Sequence, residues 1–412
     1  KLDSKEDRSK ARQDFLQAEK YFKQGKIDDY QKLKKQLVSY PLYPYLEYTE
    51  IRDRLHLLPT KEVRAFLENH PDIHLSDKLL KSWLSQLAKK QKWQTFLEFY
   101  QPVSSISLQC HQLNALIKTG KKAEALDKVA NIWLYKASRP KACDPVFRVW
   151  KDAGLQTTDL TWQRIALALD DNEIKLARYL GKSLPKKDQK LLDEWLQLRK
   201  HPENVSAKAI SAEHPYRQLA LAHGVMKFAR KDLTSAVYAW DELKFSDVFD
   251  PAIISKVEQS LSYRFLSGNF ETPFEYLVFA EPCDADTKLQ EIRIRAALRH
   301  QEWHTVLNWL DRLPDSHIDE DRWQYWRARS LEMTGKKEQA QVIYETISSE
   351  RSFYGFLAAD KLGKDYSLNN EQLDIDPELE KSVADMPAIQ RASELFQLKR
   401  YLDARREWYA TT

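Results

Sequence analysis

Apolar positions along the chain recur at helical spacing, three and four residues apart, and not in strand-like alternation. In the stretch RWQYWRARSLEM, Trp323, Trp326, Ser330 and Met333 share one helix face, while Tyr325 and Ala328 lie roughly opposite. A helix apolar on both sides is an inner element packed between two neighbours. After Gly335, a second helix carries Ala340, Ile343, Tyr344 and Ile347 as one stripe. Phe353, Phe356, Leu357 and Leu362 then supply the core-facing side of a third. These aromatic residues are expected to be packing, not a ligand platform. Regular Val/Ile/Thr alternation and Asn-Gly turns, the marks of a sheet, are missing from the sequence.

The pattern repeats along the chain. LIKTGKKAEALDKVANIW and LEMTGKKEQAQVIYETIS align so that Gly120 falls on Gly335 and Ala125 on Ala340. Gly supplies the left-handed backbone that ends one helix, and the later Ala lets the next approach closely. AEKYFKQGKIDDYQKL does the same with Gly25, and GVMKFARKDLTSAVYAWDEL carries Ala236 and Trp240 on its second helix. AALRHQEWHTVLNWLDRL and SELFQLKRYLDARREWY keep the outline with the Gly replaced. Units recurring irregularly at roughly 30–40 residues predict helix hairpins that must stack to bury their apolar faces. The expected fold class is all-α, a solenoid of stacked, TPR-like helix hairpins. Pro41 and Pro44 in YPLYPYLEY predict an extended or kinked entry to a helix at Leu46–Leu55. A polar run, 363–387, separates the long array from a last hairpin.

Stacking gives the cysteines a meaning. Cys110, Cys143 and Cys283 fit no zinc spacing. Cys110 lies early in the helix that ends at Gly120, and Cys143 begins the helix through DPVFRVWKDAG, one helix pair later. Successive first helices of a solenoid are near-parallel neighbours, so the two sulfurs lie within the short Cα separation a disulfide needs. A Cys110–Cys143 disulfide is expected, and with it an oxidising compartment. Cys283 is read as a small buried apolar residue.

Composition sharpens this picture. Only 9 Gly and 16 Pro occur in 412 residues, which suits a helical chain. The net charge of +4 is mild and Lys and Glu are interleaved, so no basic nucleic-acid groove is indicated. No apolar run approaches the ~18 residues of a transmembrane segment. The polar start Lys1-Leu2-Asp3-Ser4 leads to the expectation of a mature form without signal peptide, if the protein is exported.

Motifs for chemistry are few. HQEWH places His300 and His304 at i, i+4, but Glu302 is out of order for a zincin, so both are read as exposed turn residues. Pro71 breaks the helical spacing of NHPDIH. P-loop, G-x-G-x-x-G and G-x-S-x-G motifs do not occur, and the sequon at Asn204 is read as incidental. No catalytic, cofactor-binding or metal-binding residue can be nominated, and no cofactor is expected.

Three blocks carry a family resemblance: YPLYPYLEY, ACDPVFRVW, and RWQYWRARSLEMTGKKEQAQVIYETISSERSFYGFLAADKLG. In the same order along the chain, they resemble the superhelical region of the soluble lytic transglycosylases of the Gram-negative periplasm. The resemblance implies a right-handed α-superhelix, ring- or horseshoe-shaped, over residues 1–365, with a helical linker domain starting at 366–412. It implies an enzyme that cleaves the β-1,4 bond between N-acetylmuramic acid and N-acetylglucosamine in peptidoglycan, leaving a 1,6-anhydromuramoyl end. One Glu serves as acid and then base in a lysozyme-like domain. The family places that Glu before a Ser, with G-L-M-Q downstream; neither string occurs in this sequence. The expectation is therefore a non-catalytic part that guides or anchors glycan strands, with peptidoglycan and other cell-wall enzymes as partners in the periplasm. The alternative is a stand-alone periplasmic α-solenoid scaffold for protein interactions.

Overall fold

The computed structural model describes residues 5–410 except 212, 247–248, 268–286 and 373. Cys283 lies outside the described residues. Among those described, the regular elements are α-helices and two short 3-10 turns, with no strand. The all-α solenoid expected from the periodicity is the observed architecture.

One turn builds most of the hairpins. Gly25, Gly120 and Gly335 adopt φ of 72°, 90° and 86°, and each is followed by an N–H that donates to the carbonyl five residues back. Lys121 N bonds Leu116 O at 2.8 Å, and Lys336 N bonds Leu331 O at 2.8 Å. This is the Schellman closure, which satisfies carbonyls that the helix end leaves open. Non-glycine residues take the same place elsewhere: Gln91, Asn172, Gln301 and Lys399, with φ of 55°, 64°, 57° and 59°. Their turns close identically, as in Glu302 N to Ala297 O at 2.9 Å and Arg400 N to Leu395 O at 2.8 Å. In these seven turns the residue five beyond the left-handed position points inward. Tyr30, Phe96, Ala125, Ala177, Val306, Ala340 and Ala404 occupy that position, and all are buried.

The chain forms two compact units: residues 1–160 together with 373–412, and residues 161–372. In the first, Phe15, Tyr30, Tyr40, Leu46, Phe66 and Trp83 share a core with Leu395 and Ala404 of the last hairpin. In the second, the helix Asp321–Met333 is an inner element as expected. Trp323 belongs to the cluster of Leu289, Ile294, Val306 and Leu310. Tyr325 and Ala328 belong to that of Ala340, Tyr344 and Ile347, and Trp326 packs against both.

Three local expectations need correction. Met333 is 44% exposed, because the helix ends there and its side chain clears the neighbouring rows. Phe353 is 68% exposed; the helix Phe353–Leu362 buries Gly355, Ala358 and Ala359 instead. Ser352 caps that helix by accepting from Gly355 N at 3.0 Å. A Cβ on Gly355 would stand 2.2 Å from the Glu350 carbonyl oxygen, so close backbone contact accompanies Leu357 and Leu362, which pack on the Ala340–Tyr344 cluster as expected. The third concerns the proline-rich entry. The helix begins at Tyr43, with Pro44 in its first turn, where a missing N–H costs nothing.

Candidate functional site

The densest buried polar chemistry lies in the first unit, where the hairpin Pro387–Gln397 and Tyr401–Tyr409 meets the helices of the chain's beginning. Pro387 starts the hairpin and Lys399 turns it. Its buried face reads Ala388, Ala392, Leu395 and Ala404, interrupted by three charged residues, Arg391, Glu394 and Glu407.

Each buried charge is met by a specific partner. Glu394, 1% exposed, accepts from Arg12 Nε at 2.7 Å and Nη2 at 3.0 Å, and from Tyr40 Oη at 2.8 Å. Glu407, 0% exposed, accepts from Tyr45 Oη at 2.7 Å, His74 Nδ1 at 3.0 Å and Arg391 Nε at 2.8 Å. Arg391 Nη2 also donates to Asp72 Oδ2 at 2.9 Å, and Arg400 forms a two-pronged pair with Glu19. Burial opposes ionisation of Glu407, yet hydrogen bonds from His74, Arg391 and Tyr45 hold its carboxyl below the usual range. Burial and Glu394 push the Tyr40 phenol up; burial and Glu407 do the same to Tyr45. These directions keep Glu407 ionised and the Tyr40 and Tyr45 phenols protonated at neutral pH. Such a lattice fixes two chain segments together.

The other residues singled out in the sequence are placed as follows. Cys110, in the helix Ile106–Lys118, and Cys143, closing the turn Lys141–Cys143, are both buried and joined by a disulfide with Cα atoms 4.9 Å apart. Trp323 is 1% exposed and lies within the core. His300 and His304 are exposed at their turn. Glu291, His317 and Glu320 approach one another closely enough for a metal. Arg322, however, already binds Glu291 at 2.6 Å and Glu320 at 2.7 Å, and fills that place with its own charge.

The last hairpin is also where a family profile matches: residues 382–412 fit the soluble lytic murein transglycosylase L domain. The soluble lytic murein transglycosylase of Escherichia coli K12 is 28% identical over 401 residues, 96% of this chain and 61% of that protein. That of Salmonella typhimurium is 27% identical over 399 residues, with the same coverage. Over nearly its whole length, this chain is similar to the soluble lytic murein transglycosylases.

Solved structures agree. An inactive mutant of the lytic transglycosylase Slt from Pseudomonas aeruginosa superposes with a TM-score of 0.86 at 28% identity, covering 97% of this chain and 65% of that one. The 70-kDa soluble lytic transglycosylase of E. coli gives 0.82 at 25%, covering 98% and 65%. A 70-kDa soluble lytic transglycosylase in complex with bulgecin A gives a TM-score of 0.81 at 25% identity, covering 98% and 65%. This chain spans about 61% of the length of the curated relatives it matches. The buried ion pairs of Arg391, Glu394 and Glu407 had no signal in the sequence. Those acidic and basic residues look like any solvated helix face until the fold brings distant segments together.

Proposed function

We propose that this chain is the helical, non-catalytic part of a peptidoglycan lytic transglycosylase, which guides or anchors glycan strands for cleavage between N-acetylmuramic acid and N-acetylglucosamine. The observation that carries the reading is the last hairpin. It matches the L domain of the family and is seated on the chain's beginning by the ion pairs Arg12–Glu394 and Arg391–Asp72. Residues 1–365 form the superhelical part in this reading, and 366–412 begin the linker. The Cys110–Cys143 disulfide supports an oxidising, periplasmic setting. Among the described residues, no helix is long and apolar enough to cross a membrane.

Purified sacculi test the proposal. The protein is expected to co-sediment with them at low salt and to release no anhydromuropeptides. Failure to sediment at low salt would remove the guiding role, and turnover would reveal an active site within the chain. The reading frame beyond Thr412 is expected to encode Glu-Ser and, further on, Gly-Leu-Met-Gln. A stop codon close after Thr412 would favour the stand-alone scaffold.

A further inference from the structure

Among the described residues, the second unit contains a cluster of cations, Arg199, Lys227, Arg230 and Arg264, that form no ion pair with a carboxylate. The helix Arg217–Phe228 packs on both Lys186–Lys200 and Pro251–Ser267. The first contact is so close that a Cβ on Gly224 would lie 2.7 Å from Leu198 Cδ2, which sets Arg199 beside the end of the Arg217–Phe228 helix. On the other side, Asp170 ties the layers, 2.8 Å from His223 Nε2 and 2.8 Å from Lys256 Nζ.

Arg199, Lys227, Arg230 and Arg264 gather around this junction. Helix ends favour cations in their last turns, which offsets part of the repulsion. The repulsion is still evident. Burial first and then the charge of Arg230 hold Arg199 and Arg264 below the ordinary arginine range. Burial, Arg199, Arg230 and Lys231 do the same to Lys227. Among the described residues Arg199 donates to a neutral acceptor, Asn172 Oδ1 at 3.2 Å; Asp170 acts on it through charge alone, and its Nε is buried with no acceptor. Arg264 Nε is likewise buried without one. Lys231, by contrast, has Glu203 at 3.1 Å. Buried donors left unpaired among like charges are costly unless an anion completes them.

One of these cations, Arg264, lines an open recess of about 440 Å³ together with Lys256, Gln259, Ser260 and Tyr263. These positions follow i, i+3, i+4, i+7, i+8, so one helix face presents a cation, an amide, a hydroxyl, a phenol and a second cation over about 12 Å. Lys256 is engaged by Asp170, so the uncompensated charge lies at the Arg264 end. Amide, hydroxyl and phenol side chains beside guanidinium groups suit a sugar-bearing chain with pendant acids, since guanidinium pairs with carboxylate in a planar fork.

We propose that this recess binds a free carboxylate of a peptide-substituted glycan at Arg264, within the positive field of Arg230, with the chain laid along the Lys256–Arg264 face. The proposal deepens the peptidoglycan reading above and rests on it for the source of the carboxylate. Calorimetric titration of the whole chain with a disaccharide-tetrapeptide, and with its carboxyl-esterified form, tests it. The acid is expected to bind about tenfold more tightly than the ester, and R230Q and R264Q to abolish that preference. Their ligand-free melting temperatures are expected to equal or exceed that of the parent, because like-charge repulsion falls; a purely structural role would lower them. Equal binding of acid and ester, or unchanged preference in both variants, overturns the inference. So does binding of inorganic phosphate without binding of the glycopeptide. Sacculus retention by the parent that survives both substitutions would sink this site and leave the guiding role standing. Loss of sacculus retention by the parent itself would sink the guiding role.

Discussion

Glu407 has no exposure to water, yet three hydrogen bonds keep it ionised. Removing its charge strands Arg391 in the core. Glu407→Gln is therefore expected to lower stability by about 3 kcal/mol, measured by urea unfolding at neutral pH. The folded carboxyl ionises at a lower pH than its ordinary value near 4.5. Its contribution is thus complete above that value and disappears as pH falls through the lower, folded one. Parent protein should lose stability steeply below about pH 4, and E407Q less steeply. Parallel acid profiles for the two would contradict the ion-pair assignment. None of this was legible in the sequence, because His74 is 333 positions from Glu407 and Arg12 is 382 from Glu394. Each looks locally like a polar residue on a solvated turn of helix.

Hairpins, by contrast, could be read directly, because their punctuation is local. Gly25, Gly120 and Gly335 mark left-handed turns that only nearby backbone geometry dictates. Gln301 and Lys399 occupy the same conformation with a Cβ, which is why those copies looked weaker. Gln301→Gly and Lys399→Gly are each expected to stabilise the chain by about 0.5–1 kcal/mol, and Gly335→Ala to destabilise it by about 1 kcal/mol, read as shifts of the urea midpoint. The helix Phe353–Leu362 misled the pattern for a different reason. Its buried side is made of Gly355, Ala358 and Ala359, and hydrophobic bulk went to the exposed Phe353. Gly355→Ala should cost about 1–3 kcal/mol, because the methyl meets the Glu350 carbonyl oxygen and not a side chain that can turn away. A neutral effect would show that the helix can back off its neighbour.

At the scale of the whole molecule, the all-α class and the stacking of hairpins followed from periodicity. The association of the last hairpin with the first helices did not, since a solenoid pattern specifies neighbours in sequence and says nothing about its two ends. Deleting residues 373–412 would leave Arg12, Tyr40, Tyr45 and His74 without their carboxylates. Calorimetry of that truncation is expected to show a weakened first unit, while the unit of residues 161–372 keeps its own transition. Uniform destabilisation of both would contradict the division. The split composition of the first unit also sets an order of events during synthesis. Its opening 160 residues must wait for the 212 of the other unit before the hairpin that completes their core is made. At ribosomal rates of about 5–20 residues per second, that delay is roughly 10–40 seconds. Throughout it, the surfaces destined for Glu394 and Glu407 stay open on the nascent chain, which makes them natural handles for a chaperone.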